Sequence, residues 1–325
     1  MKPMKIHLRE KTSKEIFHFS WFYDTIFLCT KERSVSSVIE IIVNPVAGSG
    51  AAKETALEVE KYLQQKGQEF KIIYTEYPNH ASQLARDAAS RGVETVVALG
   101  GDGTVSETAE GLVNSKTALG IIPAGTGNDF IKTVGVPAHW KAAVDFLLEH
   151  PARPVNTGLV NERLFMNACG MGFDELVLEY SLEAKKHAKG IWPYLYGVFK
   201  AIFTFKPIEM HIEIDGQEPM DGKYMICSIA NGRYIGGGIP IMPIADIGDG
   251  LLDILVVDSV PRWVIPFYLP SILMGTLYKK KVAHHYRASR CLLRSEGAKL
   301  NLDGEIVPVD ETLFLNKPDA LLMHW

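Results

Sequence analysis

The stretch Val93-Glu94-Thr95-Val96-Val97-Ala98-Leu99-Gly100-Gly101-Asp102-Gly103-Thr104 decides the fold. Residues 93–98 form a β-branched apolar run that reads as a buried parallel strand, and residues 105–113 carry apolar side chains at helical spacing. The glycines therefore mark a strand-to-helix turn. Glycine lets backbone N–H groups approach a phosphate, Asp102 can hold Mg²⁺ or a sugar hydroxyl, and Thr104 can donate to a phosphate oxygen. The competing reading is a plain turn whose Asp caps the next helix. A carboxylate and a hydroxyl within one turn favour nucleotide binding.

Outward from this turn the pattern recurs. Residues 38–43 read as a strand that ends at Asn44-Pro45-Val46-Ala47-Gly48-Ser49-Gly50. A helix follows to Lys66, with Ala52, Ala56, Val59 and Leu63 on one face and Gly67 past its end. Residues 70–74 form a strand, Asn79 caps a helix carrying Leu84, Ala85 and Ala88, and residues 118–122 form a strand ending at Pro123-Ala124-Gly125-Thr126-Gly127-Asn128-Asp129-Phe130. Strand alternating with helix predicts a doubly wound parallel sheet, whose ligands bind beyond the carboxyl ends of the strands. After Pro151 and Pro154 short strands bounded by turns take over, which predicts a C-terminal antiparallel β-sandwich. The expected organisation is an extension over residues 1–36, an α/β domain over 37–155 and a β domain over 156–325, the last strand being free to return to the first domain.

The chain has 325 residues, 47% of them apolar and 22% charged, and a net charge of -4, which argues against a general nucleic-acid binder. Cys29, Cys169, Cys227 and Cys291 are scattered without the close pairs of a zinc site, which suits a reducing cytoplasm. No apolar run has the ~20 residues of a bilayer span. Residues 17–29 come nearest but contain Asp24 and make a poor signal peptide; an extra docking element and translated upstream sequence are both open for residues 1–36. Residues 191–203 and 263–274, the latter followed by Lys279, Lys280 and Lys281, combine aromatic with basic residues. A buried pair of connecting helices is favoured over docking on an anionic membrane surface.

Several familiar sites are missing. Gly48-Ser49-Gly50-Ala51-Ala52-Lys53 lacks the third glycine of a dinucleotide fingerprint, which weakens Glu76 as a ribose ligand, and it is no Walker loop. There is no Gly-x-Ser-x-Gly elbow, and His284 and His285 read as surface or loop residues. What remains is a set of carboxylates at turns: Asp102, Asp129, Asp246, Asp249 and the Asp303-Gly304-Glu305 turn. Asp249-Gly250 and Asp303-Gly304 taken alone are ordinary hairpin signals.

In order and spacing, Asn44-Pro45 with Gly48 and Gly50, then Gly100-Gly101-Asp102-Gly103-Thr104, then Gly125-Thr126-Gly127-Asn128-Asp129-Phe130, resemble the diacylglycerol kinase catalytic family in its soluble bacterial branch. The likeness continues through Gly170-Met171-Gly172-Phe173-Asp174, Gly236-Gly237-Gly238, Asp249-Gly250-Leu251-Leu252-Asp253 and Asp303-Gly304-Glu305, and so covers roughly residues 38–325. It implies a two-domain kinase that passes the γ-phosphoryl of ATP to a lipid hydroxyl, diacylglycerol by default. Phosphatidylglycerol, monoacylglycerol, ceramide and an undecaprenyl-type alcohol stay open. By position, Asn44, Gly101, Gly103, Thr104, Gly125, Thr126 and Asn128 would cradle the nucleotide, while Asp102 and Asp129 would organise Mg²⁺. Glu305 matches the general base, with Asp102 as the second catalytic residue. Asp249 matches a structural Mg²⁺ site completed by the backbone carbonyls of Asp246 and Leu251. Ser106, Lys132 and Asn156 depart from the pattern, Asn156 by standing where an Asp is usual. The resemblance also implies peripheral contact with the inner membrane surface, and a homodimer is allowed. An NAD kinase-like phosphotransferase and a nucleotide-binding regulator without catalysis are the alternatives.

Overall fold

The computed structural model describes residues 38–186 and 192–325; the extension discussed above, with its apolar stretch 17–29, lies outside the described residues. Four parallel strands, β1 (Ile39–Val43), β2 (Phe70–Tyr74), β3 (Thr95–Gly100) and β4 (Ala118–Pro123), lie in the order β2-β1-β3-β4. Alternate residues of a strand face opposite ways, and here both faces are apolar. Ile42, Val96, Ala98, Leu119 and Ile121 pack under α2 (His80–Ser90), α3 (Asp102–Leu112) and α4 (Asp129–Val134). Ile41, Val43, Val97, Leu99 and Ile122 pack under α1 (Ala51–Lys66) and α5 (Trp140–Glu149). The doubly wound half is therefore as the sequence predicts. Asn79, expected to cap α2, instead takes a left-handed conformation (φ 65°) and its side chain makes no bond to the helix.

The β half consists of β5 (Ala152–Val160), β6 (Arg163–Phe165), β7 (Ala168–Gly172), β8 (Ile208–Ile214), β9 (Met220–Ala230), β10 (Leu252–Asp258), β11 (Ala283–Ala288), β12 (Arg290–Leu302) and β13 (Glu305–His324). Its strands pair antiparallel and curl around an all-strand core of Phe165, Met171, Ile212, Ile229, Ile254, Leu293, Leu300 and Phe314. The expected sandwich is not a detached sheet: all thirteen strands belong to one hydrogen-bonded network. β5 begins at Ala152 and runs through residue 155. His284 and His285 sit in β11 rather than in a loop, where they meet Asp258 and Asp253 at 2.9 and 2.6 Å.

One strand joins the two halves. β13 pairs with β12 over its first part, with β5 over its second, and at Leu322 and Met323 runs parallel to β4. Leu321 and Met323 are fully buried in the core beneath α2 and α3. A second layer covers the outer face of β9 and β10: α6 (Phe173–Ala184), α7 (Trp192–Thr204) and α8 (Ile265–Leu273).

Leu321→Ala is expected to cost ~2–5 kcal/mol, the range for a buried leucine, measured as a fall in the urea midpoint at unchanged slope.

Candidate active site

Asn44 after β1, Gly101 after β3 and Gly125 after β4 meet at the carboxyl edge of the parallel sheet. Side chains would keep these loops apart. A Cβ on Gly125 would lie 2.4 Å from the Cα of Gly101, and one on Gly48, itself at φ 59°, would lie 2.1 Å from the carbonyl oxygen of Ala124. Helix α3 starts at Asp102, three residues earlier than its apolar pattern suggests, and no side chain caps it. The N–H groups of Gly103 and Thr104 thus lie in its first turn, where amides have no intrahelical acceptor. Asn44 Nδ2 donates to the buried Thr104 Oγ1 at 3.2 Å, fixing β1's end against this turn. Thr126 is exposed. Asn128 folds its own loop, accepting from Gly125 N at 3.1 Å and donating to Gly125 O at 2.8 Å.

Asp102 caps a helix, but not its own. Its Oδ1 accepts the amides of Asp129 (2.7 Å) and Phe130 (3.0 Å), the first two residues of α4. Burial pushes the Asp102 carboxyl up, and these amides pull it back. Asp129 continues the chain of contacts: Oδ2 accepts from Gly237 N in the β half at 2.8 Å, and Oδ1 meets Lys132 Nζ at 3.1 Å. Lys132 also donates to Gly127 O at 2.9 Å, so one ammonium ties Asp129 to the loop before α4.

The β half contributes the β12–β13 hairpin. Asp303 (φ 46°) and Gly304 (φ 96°) make its two-residue turn, as the Asp-Gly pair predicts. The Asp303 side chain does more than turn the chain. It accepts the amides of Met166 (2.7 Å), Asn167 (2.9 Å) and Ala168 (3.1 Å), fixing the hairpin tip on the loop between β6 and β7. Burial pushes Asp303 up to about 6 against these donors, and the charge of Asp102 adds to the rise. Glu305 follows the turn, exposed, with Arg163 Nη2 at 2.9 Å. Sequence reasoning reads Asp303 as a turn residue of the hairpin and gives Arg163 no role, because the side-chain partners of both lie over a hundred residues away.

The expected second Mg²⁺ site looks different. Asp249 Oδ1 accepts from Leu251 N at 3.0 Å, and its Oδ2 is ion-paired with Arg287, which also approaches Asp253 at 3.7 Å. Asp246 Oδ1 accepts from Gly248 N at 2.9 Å. Arg287 pairs with the one carboxylate such a site would use, so a cation bound there has to displace the guanidinium. No group of three or more His, Cys, Asp or Glu side chains able to hold a metal occurs among the described residues. Asn156 is buried in β5: its Oδ1 accepts from Asp319 N at 3.4 Å, its carbonyl accepts from Asn231 Nδ2 at 3.3 Å, and its Nδ2 has no partner. The arrangement around Asp102 does fit a hard cation. Asp102 Oδ2 and Asp129 Oδ2 both lie near Gly127, at 2.9 and 3.7 Å from where its Cβ would stand, and paired carboxylate oxygens beside uncapped amides suit a metal-bound phosphate.

The profile of the diacylglycerol kinase catalytic domain matches residues 39–160, and that of the YegS C-terminal NAD kinase beta sandwich-like domain matches residues 167–324. A diacylglycerol kinase of Bacillus subtilis (strain 168) is 30% identical over 271 residues, 82% of this chain and 88% of the relative. The chain belongs to the diacylglycerol kinase catalytic-domain family. A YegS-like protein of Pseudomonas aeruginosa (strain UCBPP-PA14), described as a probable lipid kinase, is 30% identical over 85% of this chain and 91% of its own. A crystal structure from Bacillus anthracis str. Sterne, described as a candidate diacylglycerol kinase, superposes with a TM-score of 0.74 at 27% identity, covering 89% of this chain and 97% of that one. As a member of this family the protein is a lipid kinase.

Behind the hairpin, burial pushes Asp174 up to about 6 and Glu175 up to about 7. With Asp303, these acids are charged at pH 8 both folded and unfolded, and folding disfavours the charge. As pH falls through 7 and 6 the folded chain protonates first, so its stability rises until the unfolded chain protonates near pH 4. The thermal midpoint is expected to climb between pH 8 and pH 6. Glu175→Gln should stabilise the chain at pH 8 by roughly 1–3 kcal/mol and flatten that slope; parallel curves for the two proteins would remove Glu175 as the cause.

Proposed function

We propose that the protein transfers the γ-phosphoryl group of ATP to the free hydroxyl of diacylglycerol, giving phosphatidic acid and ADP, with Mg²⁺ as the metal. The observation that carries this reading is how the Asp303-Gly304-Glu305 tip is tied to the α/β half: Asp303 accepts the amides of Met166, Asn167 and Ala168, the Asn167 carbonyl accepts from Gly232 N at 2.7 Å, and Arg233 N donates to Thr133 Oγ1 of α4 at 2.9 Å. Asn44, Gly101, Gly103, Thr104, Gly125, Thr126 and Asn128 would surround the nucleotide, the α3 amides receiving its phosphates. Asp102 and Asp129 would hold Mg²⁺, which when bound neutralises charge developing on the transferred group.

Glu305 is the proposed general base. It takes the proton of the acceptor hydroxyl while that oxygen bonds to the γ-phosphorus, and the bond to the β-γ bridging oxygen breaks to release ADP. Arg163 keeps the Glu305 carboxylate oriented at the mouth, where an exposed pair costs little to separate. Lys132 and Gly237 hold Asp129, so they position the site without touching substrate. Two long acyl chains make diacylglycerol nearly absent from water, so peripheral contact with a membrane follows from the substrate. No helix among the described residues is long and apolar enough to cross one.

Labelled ATP, Mg²⁺ and mixed micelles carrying diacylglycerol, monoacylglycerol, ceramide, phosphatidylglycerol or undecaprenol, with NAD as a further acceptor, test the proposal. Labelled phosphatidic acid is the expected product. Glu305→Gln should lower kcat by roughly 10²–10⁴-fold with ATP affinity unchanged. Labelled NADP, or no product from any acceptor despite ATP binding, would overturn it.

A further inference from the structure

Helix α7 has its apolar side turned outward. Pro193, Gly197 and Ala201, four residues apart, are buried, while Trp192, Leu195, Tyr196, Phe199 and Phe203 form a stripe on the opposite side, with Trp192 69%, Phe199 64% and Phe203 62% exposed. Gly197 is what brings the helix in: a Cβ there would lie 2.5 Å from the Val177 carbonyl of α6. The segment leading through α8 does the same with Trp263 (74% exposed), Phe267 (76%) and Met274 (73%). The two stripes are joined, because Arg262 donates to the carbonyls of Phe205 (2.8 Å) and Phe203 (3.1 Å). This corrects the expectation that both stretches are buried connectors: each buries one side and exposes its aromatic residues.

The surrounding charge says what the patch meets. Residues 192–206 and 259–283 contain Lys200, Lys206, Arg262, Lys279, Lys280 and Lys281 and no acidic residue, in a chain whose net charge is -4; Lys200 is paired with Glu183 of α6 at 2.8 Å, so the lysine cluster at 279–281 carries most of the patch's positive charge. Aromatic residues flanked by lysines suit the interface of an anionic bilayer, where rings enter the headgroup layer and cations meet lipid phosphates. The patch also adjoins the cleft. Tyr194 of α7 lies against Gly236, and Gly275 after α8 against Pro240 and Pro243, in the same loop whose Gly237 amide binds Asp129.

We propose that the exposed faces of α7 and α8, with Lys279, Lys280 and Lys281, form an interfacial docking surface for anionic membranes that sets the cleft at headgroup level. The proposal deepens the lipid-kinase reading and takes its purpose from it. Its test, however, needs neither ATP nor diacylglycerol. The full chain is expected to sediment with phosphatidylcholine vesicles containing phosphatidylglycerol and much less with phosphatidylcholine alone. Phe199→Ser with Trp263→Ser should weaken partitioning roughly tenfold or more. Lys279→Gln with Lys280→Gln and Lys281→Gln should remove most of the preference for anionic vesicles. Should a variant misfold by circular dichroism, the unaltered chain still decides: lipids brominated on their chains should quench its tryptophan fluorescence, and Trp192→Phe with Trp263→Phe should abolish that quenching. The proposal falls if the unaltered chain stays in the supernatant or if the variants bind as it does. It also falls if sedimentation velocity shows a dimer that Phe199→Ser with Trp263→Ser dissociates, because the face is then covered by a second copy. Vesicle binding without phosphorylation of any lipid would overturn the kinase reading and leave the surface standing.

Discussion

One carboxylate holds the cleft in shape. Asp102, at the end of a parallel strand, accepts the first two amides of α4, and α4's own Asp129 then accepts an amide from the glycine loop of the β half. A charged acceptor on backbone donors is among the stronger hydrogen bonds a protein makes. Here two in series cross from one half to the other. Glycine lets the loops close on one another and this relay fixes them there, while the second oxygen of Asp102 lies beside Gly127.

The second fixed point is the hairpin tip. Asp303 collects three amides from the β6–β7 loop, so the tip that carries Glu305 does not depend on hairpin geometry alone. From there β13 leaves the β half, crosses beside β5 and ends against β4, burying Leu321 and Met323 in the α/β core. A single strand thus begins at the proposed base and ends beneath α3, the helix that follows the Gly100-Gly101 turn. Movement of one half relative to the other has to disturb that strand.

Much of this is legible in the sequence. The parallel strands announce themselves because both of their faces are buried, which makes residues 93–98 and 118–122 continuous apolar runs. The glycine loops are legible because close backbone approach admits no other residue. What is not legible is tertiary. Nothing near Asp102 says that it caps α4 rather than α3, and nothing near Asp249 says that Arg287 is aimed at it. Composition likewise cannot tell which side of α7 faces out. The signal lay in spacing: small residues at 193, 197 and 201 mark the side pressed onto the protein, leaving the aromatic residues outside.

Hydrogen exchange read by mass spectrometry, with and without a non-hydrolysable ATP analogue and Mg²⁺, tests most directly whether the three strand ends form one nucleotide cradle. Protection is expected in peptides spanning residues 44–50, 101–105 and 125–130, with no change across β8 and β11. Protection confined to the β half, or none at saturating analogue, would contradict the account.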